Sequence, residues 1–405
     1  MHVLIVTQHF WPENFRINDL AAGLIERGHQ VTVLTGIPNY PGGRFFPGYG
    51  FFKKTREEYK GTRIIRLPLV PRGKGSGIRL AINYLSFALS AIVLSPIFCR
   101  GGFDLIFVCQ LTPVTVGLPA LLLKKIRRIP ILFWILDLWP ESLSATGAIR
   151  SGWMLEQVDK LVRFIYRGCD KIVVASKGFL PSVIAKGIPA ERTGYFPNWY
   201  ESEYRIHPDQ DDATCTADMP VGFRVMFAGN IGVAQDFGTI LSAAELLKQY
   251  QDIYWVILGD GRQFEWVKEQ VKLRELEDRV LLLGRHAPER MVGYFAQADS
   301  MLVTLKRDPV FALTIPGKIQ SYLACGRPIV AALDGQGAQL IRESGAGFAS
   351  SAEDVVALAK SVLTMYRMPK AAREAMGACG KDYCEKNFKR EMLFDRLEGW
   401  MRELR

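Results

Sequence analysis

Residues 314–331, TIPGKIQSYLACGRPIVA, narrow the folding options of this chain more than any other stretch. They read as loop, then helix, then strand. Pro316 suits the first turn of a helix, where its missing N–H is no loss. Lys318 to Cys325 has helical spacing, with Ile319, Tyr322 and Leu323 able to share one face. Gly326 stops the helix, Pro328 forbids its resumption, and residues 329–332 form a short buried strand. A helix feeding such a strand is a unit of an α/β fold. A helix start preceded by Pro-Gly and carrying Lys318 is also an anion site, because backbone N–H groups, the positive dipole end and an ammonium point the same way. The same residues equally suit an ordinary helix–strand unit with one surface lysine.

The rest of the chain repeats this alternation. Residues 1–7 are an apolar strand, residues 17–27 an amphipathic helix ended by Gly28, and residues 30–35 the next strand. The loop between the first strand and helix holds His9, Glu13, Asn14 and Arg16. It lies at the carboxyl end of a strand, the edge where open α/β sheets bind ligands. Arg16 sits at a helix start, which the dipole disfavours, so it serves either a ligand or solvent. Residues 131–136 are a central strand that delivers Asp137 and, past Pro140, Glu141 to the same edge. Asp137 is there a candidate for chemistry, or a cap for the turn at Pro140. Later, residues 223–228 lead into Gly229, Asn230, Gly232 and Gln235, and the glycines let backbone approach a phosphate. Residues 254–258 lead to Gly259, Gly261 and Arg262, and residues 280–283 to Gly284, Arg285 and His286. Residues 371–405 form a final helical region.

At 405 residues, two domains are expected. Residues 201–220 are polar and irregular, as a linker or early loop would be. The expected division is 1–200 and 201–384, and the resemblance described below implies a last helix at about 385–405 that packs back on the first domain. The seven cysteines include no C-x-x-C pair and none lies at zinc-ligand spacing from a histidine, so reduced cytoplasmic thiols and no metal are expected. Charge is uneven. Residues 1–200 hold 25 Lys+Arg against 12 Asp+Glu, a net of +13, and the remainder holds 26 against 29. A basic half implies an anionic partner such as a membrane surface or lipid diphosphate; no nucleic-acid module accompanies it. Residues 80–98 are as long and apolar as a membrane span, but Asn83, Ser86 and Ser90 fall on one helical side. A buried or interfacial helix is expected there, beside the basic Arg72, Lys74 and Arg79.

Read in order, these motifs resemble glycosyltransferase family 4, the retaining enzymes of GT-B fold. Residues 314–331 look like that family's donor-binding element. The pieces QHFWPENFRINDLA, GIPNYPGG, DLWPES, GNIG-x-A-Q and PGKIQSYLACG resemble one branch in particular, the WbuB-like transferases of bacterial surface-polysaccharide synthesis. The resemblance implies two doubly wound Rossmann-like domains around a cleft, the first for acceptor and the second for a nucleotide sugar. It implies donor contacts from Gly229, Asn230, Gly232, Gln235, Gly259, Gly261, Arg262, Arg285, His286, Ile315, Pro316 and Gly317. Where the family often has a helix Glu for the ribose, this chain has Ser321, and Leu313 stands at the preceding Glu position. Asn230 and Gln235 likewise replace an Arg and a Lys, which leaves Lys318 and Arg262 more of the diphosphate charge. Lys318, Asp137 and Glu141 would carry catalysis. His9, Glu13, Asn14, Arg16, Asn39 and Tyr40 would meet the acceptor or its diphosphate. Implied too are a UDP-sugar substrate, N-acetyl-L-fucosamine by the branch, with no cofactor or metal. The implied acceptor is an undecaprenyl-diphosphate-linked saccharide, met at the inner face of the bacterial plasma membrane. A sugar-nucleotide 2-epimerase of the same architecture, or a non-catalytic sugar-nucleotide-binding protein on the membrane, is the alternative.

Overall fold

The computed structural model describes residues 1–73, 77–200 and 219–405. Lys74 and almost all of the expected linker lie outside the described residues. The described chain forms two compact units, 1–197 with 391–405, and 198–390.

In the first unit the elements are β1 (His2–Val6), α1 (Arg16–Glu26), β2 (Gln30–Gly36), β3 (Arg56–Tyr59), β4 (Thr62–Leu67), α2 (Gly77–Phe98), β5 (Leu105–Gln110), α3 (Gly117–Arg127), β6 (Ile131–Ile135), α4 (Glu141–Ala145), α5 (Gly152–Gly168), β7 (Lys171–Val174), α6 (Leu180–Ala185) and β8 (Thr193–Tyr195). The strands make one sheet in the order β3-β4-β2-β1-β5-β6-β7-β8. Only β3–β4 is antiparallel. Strands β1, β5 and β6 are apolar because helices cover both faces of a parallel sheet; Val3–Val6 and Ile131–Ile135 are wholly buried. The order reverses between β1 and β5, which opens a crevice at their carboxyl ends.

In the second unit follow β9 (Phe223–Ala228), α7 (Phe237–Leu246), β10 (Ile253–Leu258), α8 (Phe264–Leu273), β11 (Val280–Gly284), α9 (Pro288–Gln297), β12 (Ser300–Thr304), α10 (Pro309–Leu313), α11 (Gly317–Ala324), β13 (Ile329–Ala332), α12 (Gly335–Glu343), β14 (Gly347–Ser350), α13 (Val355–Arg367) and α14 (Lys370–Asn387). Their sheet runs β11-β10-β9-β12-β13-β14, all parallel. Here the order reverses between β9 and β12. The loops after those two strands carry the glycine run and the approach to α11. Two buried layers, one on each face of the sheet, hold it: Ile319, Tyr322 and Leu323 belong to one, Phe227, Phe237 and Trp255 to the other.

The last helix, α15 (Arg390–Glu403), belongs to the first unit. Arg27 pairs with Asp395 at 2.7 Å, and His29 with Glu398 at 3.1 Å. The Trp400 ring lies over Gly194, where an added Cβ would meet it at 2.8 Å, so only glycine lets the helix seat there. The final helical region is thus two helices, broken after Asn387.

Helix α3 ends in a basic turn. Lys124, Lys125 and Arg127 form its last turn, and Lys124 pairs with Asp170 at 2.6 Å. That suits the negative helix end and holds α3 to the start of β7. In α2 the polar stripe faces inward beside buried Phe87, Ala88 and Ala91, and a large aliphatic stripe faces outward.

Candidate active site

The second unit builds its site on the end of β9. Gly229 leaves the strand with φ +138°, a conformation open to glycine, and donates its N–H to the Leu258 carbonyl at 2.9 Å. The Ile231 N–H bonds the Asp260 carbonyl, and the Lys306 N–H bonds the Ala234 carbonyl, each at 2.9 Å. The glycine loop is therefore fastened to the loops after both β10 and β12. Gly259 and Gly261 owe their identity to this fastening: a Cβ would strike the Gly229 carbonyl oxygen at 1.8 Å and that of Ile231 at 2.3 Å. Their lack of side chains lets these loops pack on the glycine run.

Helix α11 is held on β9 by Tyr322. Its hydroxyl accepts from the Ala228 N–H at 2.8 Å and donates to the Ala228 carbonyl at 3.1 Å. Lys318 lies one turn earlier on the same face, so it comes down over the strand end. Its Nζ sits 3.6 Å from the Phe227 ring centroid, and a Cβ on Gly229 would meet it at 3.1 Å. That nitrogen is sealed from solvent and has no hydrogen-bond partner among the described residues, although the residue keeps some surface elsewhere. Burial pushes its pKa down to about 7. Lys318 is thus not the surface lysine of the bland reading. The π face offsets part of the desolvation cost, by about 2 kcal/mol at such buried sites. The ammonium still lacks an anion.

Around it, Asn230 and Gln235 bond each other at 3.4 Å across Gly232. Ser321 is buried on α11, Gly317 is exposed at its start, and Ile315 and Pro316 are half-buried before it. Arg262 and Arg285 are exposed on the loops after β10 and β11. His286 turns inward, with Nε2 at 3.0 Å from the Leu283 carbonyl and its ring 4.7 Å from that of Tyr294.

In the first unit, the loop after β1 folds round a buried carboxylate. Glu13 Oε1 accepts the N–H groups of Asn39 and Tyr40, each at 2.7 Å, and Oε2 lies 2.8 Å from His9 Nδ1. Glu13 is consumed in positioning. Asn39 is likewise engaged, donating to the Ile37 carbonyl at 2.9 Å and accepting the Arg72 N–H at 3.1 Å. What the loop leaves over is His9 Nε2, buried and without a hydrogen-bond partner among the described residues, near the rings of Phe15 and Tyr40. Asn14 is exposed, and Arg16 opens α1.

Asp137 follows β6. Its Oδ2 accepts from Trp139 Nε1 at 2.9 Å, and its backbone carbonyl accepts from Gln110 Nε2 at 2.7 Å. Burial raises its pKa, the Trp139 bond opposes the rise, and nearby Glu141 adds to it. Glu141 itself is tied down by Lys186 at 2.6 Å and Ser182 at 2.8 Å, which fastens α4 to α6. That ion pair gives Glu141 a part in holding the two helices together.

Sequence reasoning missed Phe227, Lys186 and Tyr322 as site-builders. Phe227 is one apolar residue in an apolar strand, and Lys186 stands 45 positions from its partner. Neither leaves a local signal. Tyr322 was placed on the buried face, but nothing in the spacing reports that its hydroxyl closes on β9.

Residues 14–199 match the glycosyl transferase 4-like domain, and residues 222–368 match the glycosyl transferases group 1 domain. The glycosyl transferase WcaI of Escherichia coli (strain K12), named for colanic acid biosynthesis, is 24% identical over 341 residues, 80% of this chain and 82% of WcaI. The glycosyltransferase WbjE of Pseudomonas aeruginosa is 28% identical over 284 residues, 67% of this chain and 68% of WbjE. Among solved structures, Anabaena Alr3699/HepE in complex with UDP superposes with a TM-score of 0.72 at 16% identity, covering 100% of both chains. Two parallel α/β sheets with these matches, end to end, place the chain among the glycosyltransferases of GT-B fold.

Proposed function

We propose that this chain is a retaining transferase that moves a sugar, N-acetyl-L-fucosamine by the branch it resembles, from a UDP donor to a lipid-diphosphate-linked saccharide in O-antigen or capsule synthesis. It works without metal or cofactor, in the cytoplasm at the inner face of the membrane. The observation that carries the donor half is Lys318. A sealed ammonium without a partner, set at a helix start against a glycine loop, is completed by a diphosphate. In the reaction the bond from the anomeric carbon to the diphosphate breaks, and the leaving oxygen gains negative charge. Lys318, the N–H groups at the start of α11 and the Gly229–Gly232 backbone stabilise that charge. The acceptor oxygen forms its bond on the same face of the sugar, and the departing phosphate takes its proton. Asp137 and His9 Nε2, presented at the carboxyl ends of β6 and β1 with β5 between them, orient the acceptor. Ser321 stands near the ribose.

Relatives named for bacterial polysaccharide biosynthesis, and UDP bound in a protein of the same fold, support this reading. The test is a thermal-shift screen of UDP- and GDP-sugars, followed by transfer assays with lipid-linked saccharides. UDP release that requires the acceptor supports transfer. Release or epimerisation without acceptor removes it.

A further inference from the structure

Helix α2 turns its polar residues inward, beside buried Phe87, Ala88 and Ala91, and most of its large aliphatic residues outward. On its inner side Asn83 accepts from Gln8 Nε2 at 2.7 Å and donates to the Val70 carbonyl at 2.6 Å. Ser86 accepts the Val70 N–H at 2.9 Å, and Ser90 donates to the Pro68 carbonyl at 2.7 Å. On its outer side Ile78, Ile82, Leu85, Leu89, Val93 and Ile97 recur every three or four residues and are between 44% and 78% exposed. No acidic residue interrupts residues 77–98. Arginines flank both ends. Arg79 bonds the Pro71 carbonyl at 3.3 Å, Arg127 the Pro96 carbonyl at 3.4 Å, and Arg56 lies 5.7 Å from the Phe98 ring.

From this arrangement we infer that α2 lies in the plane of an anionic bilayer, its outer stripe sunk among the acyl chains and the arginines at its ends on lipid headgroups. An aliphatic row of this length left facing water costs free energy that a bilayer recovers. The flanking charge decides between occupants. A second copy stacked on the stripe, parallel or antiparallel, would set arginine against arginine, whereas an anionic leaflet complements both ends. The inner hydrogen bonds decide between lying and spanning. Crossing the bilayer would strip Asn83, Ser86 and Ser90 from their partners and put them in hydrocarbon. Asn83 joins α2 to Gln8, one residue before His9, so the membrane seat is bonded directly to the loop proposed to meet the acceptor. This inference deepens the membrane part of the proposed function, and its test requires no transfer activity.

The test uses the full chain and vesicles of phosphatidylcholine with or without phosphatidylglycerol. The wild type should sediment with the anionic vesicles. Salt should release part of it, and only detergent the remainder. The variant Leu85→Asn/Leu89→Asn/Val93→Asn changes only outward side chains, so its melting and UDP binding should match wild type while its partitioning falls at least about tenfold. A tryptophan placed by Leu89→Trp should be quenched most by lipids brominated near the headgroup. Four results would each overturn the inference: no sedimentation of wild type, equal sedimentation of the variant, deepest quenching at the bilayer centre, or a wild-type dimer that the variant abolishes. UDP binding in the same samples separates these failures from failure of the transferase reading.

Discussion

Lys318 should make nucleotide binding take up a proton. With a pKa of about 7 in the free protein, its amine is mostly neutral at pH 8. A diphosphate beside it favours the ammonium and restores a pKa far above 8. Binding at pH 8 should therefore draw ~0.9 proton from buffer, the part of Lys318 that was neutral before. Affinity should weaken by about tenfold per pH unit above 7, because the ammonium form that binds becomes scarcer. Calorimetric titration of UDP at pH 8, in buffers of different ionisation enthalpy, reads the uptake as a slope. Lys318→Met should abolish the slope and weaken UDP by about 2–4 kcal/mol, the scale of a lost charge-assisted contact. The same variant should stabilise the free protein. The folded pKa lies below the unfolded value of 10.5, so wild-type stability rises as pH climbs from about 7 to 10.5, and the ammonium's penalty is full below 7. Replacing it should thus raise the melting temperature more at pH 6 than at pH 9. Tight UDP binding with no proton uptake at pH 8, or equal uptake in Lys318→Met, would refute this reasoning.

Asp137→Asn should leave UDP affinity intact and cut transfer. Burial raises the Asp137 pKa, so its carboxylate costs stability once pH exceeds the unfolded value of 3.8. The amide keeps the Trp139 hydrogen bond, and melting near pH 7 should show the variant at least as stable as wild type. Glu13→Ala should lower stability by about 2–5 kcal/mol, because the N–H groups of Asn39 and Tyr40 lose a buried acceptor. Glu13→Gln, whose carbonyl can still accept both, should cost less in the same denaturation series.

The alternation of apolar strands and helices was legible in the residues because a parallel sheet covered on both faces demands continuous apolar runs, and Val3–Val6, Ile131–Ile135 and Val225–Ala228 supply them. The placement of candidate groups at strand ends followed from the same periodicity. What could not be read was who pairs with whom. Glu141 and Asp137 look alike in sequence, both acidic beside Pro140. Only the fold brings Lys186 to one and the Trp139 indole N–H to the other. The glycine at 261 likewise reads as a phosphate-loop residue, yet the need is set by the Ile231 carbonyl 30 positions earlier. In α2, spacing revealed the Asn83–Ser86–Ser90 stripe, but which stripe faces the protein depended on the carbonyls at residues 68 and 70 meeting it.

A crystal structure of the protein with UDP tests the donor site most directly. The diphosphate should lie at the start of α11, with Lys318 Nζ moved from the Phe227 ring to a phosphate oxygen and the Gly229–Gly232 N–H groups within hydrogen-bond reach. UDP bound away from this corner, or a diphosphate seated there while Lys318 stays on Phe227, would contradict it.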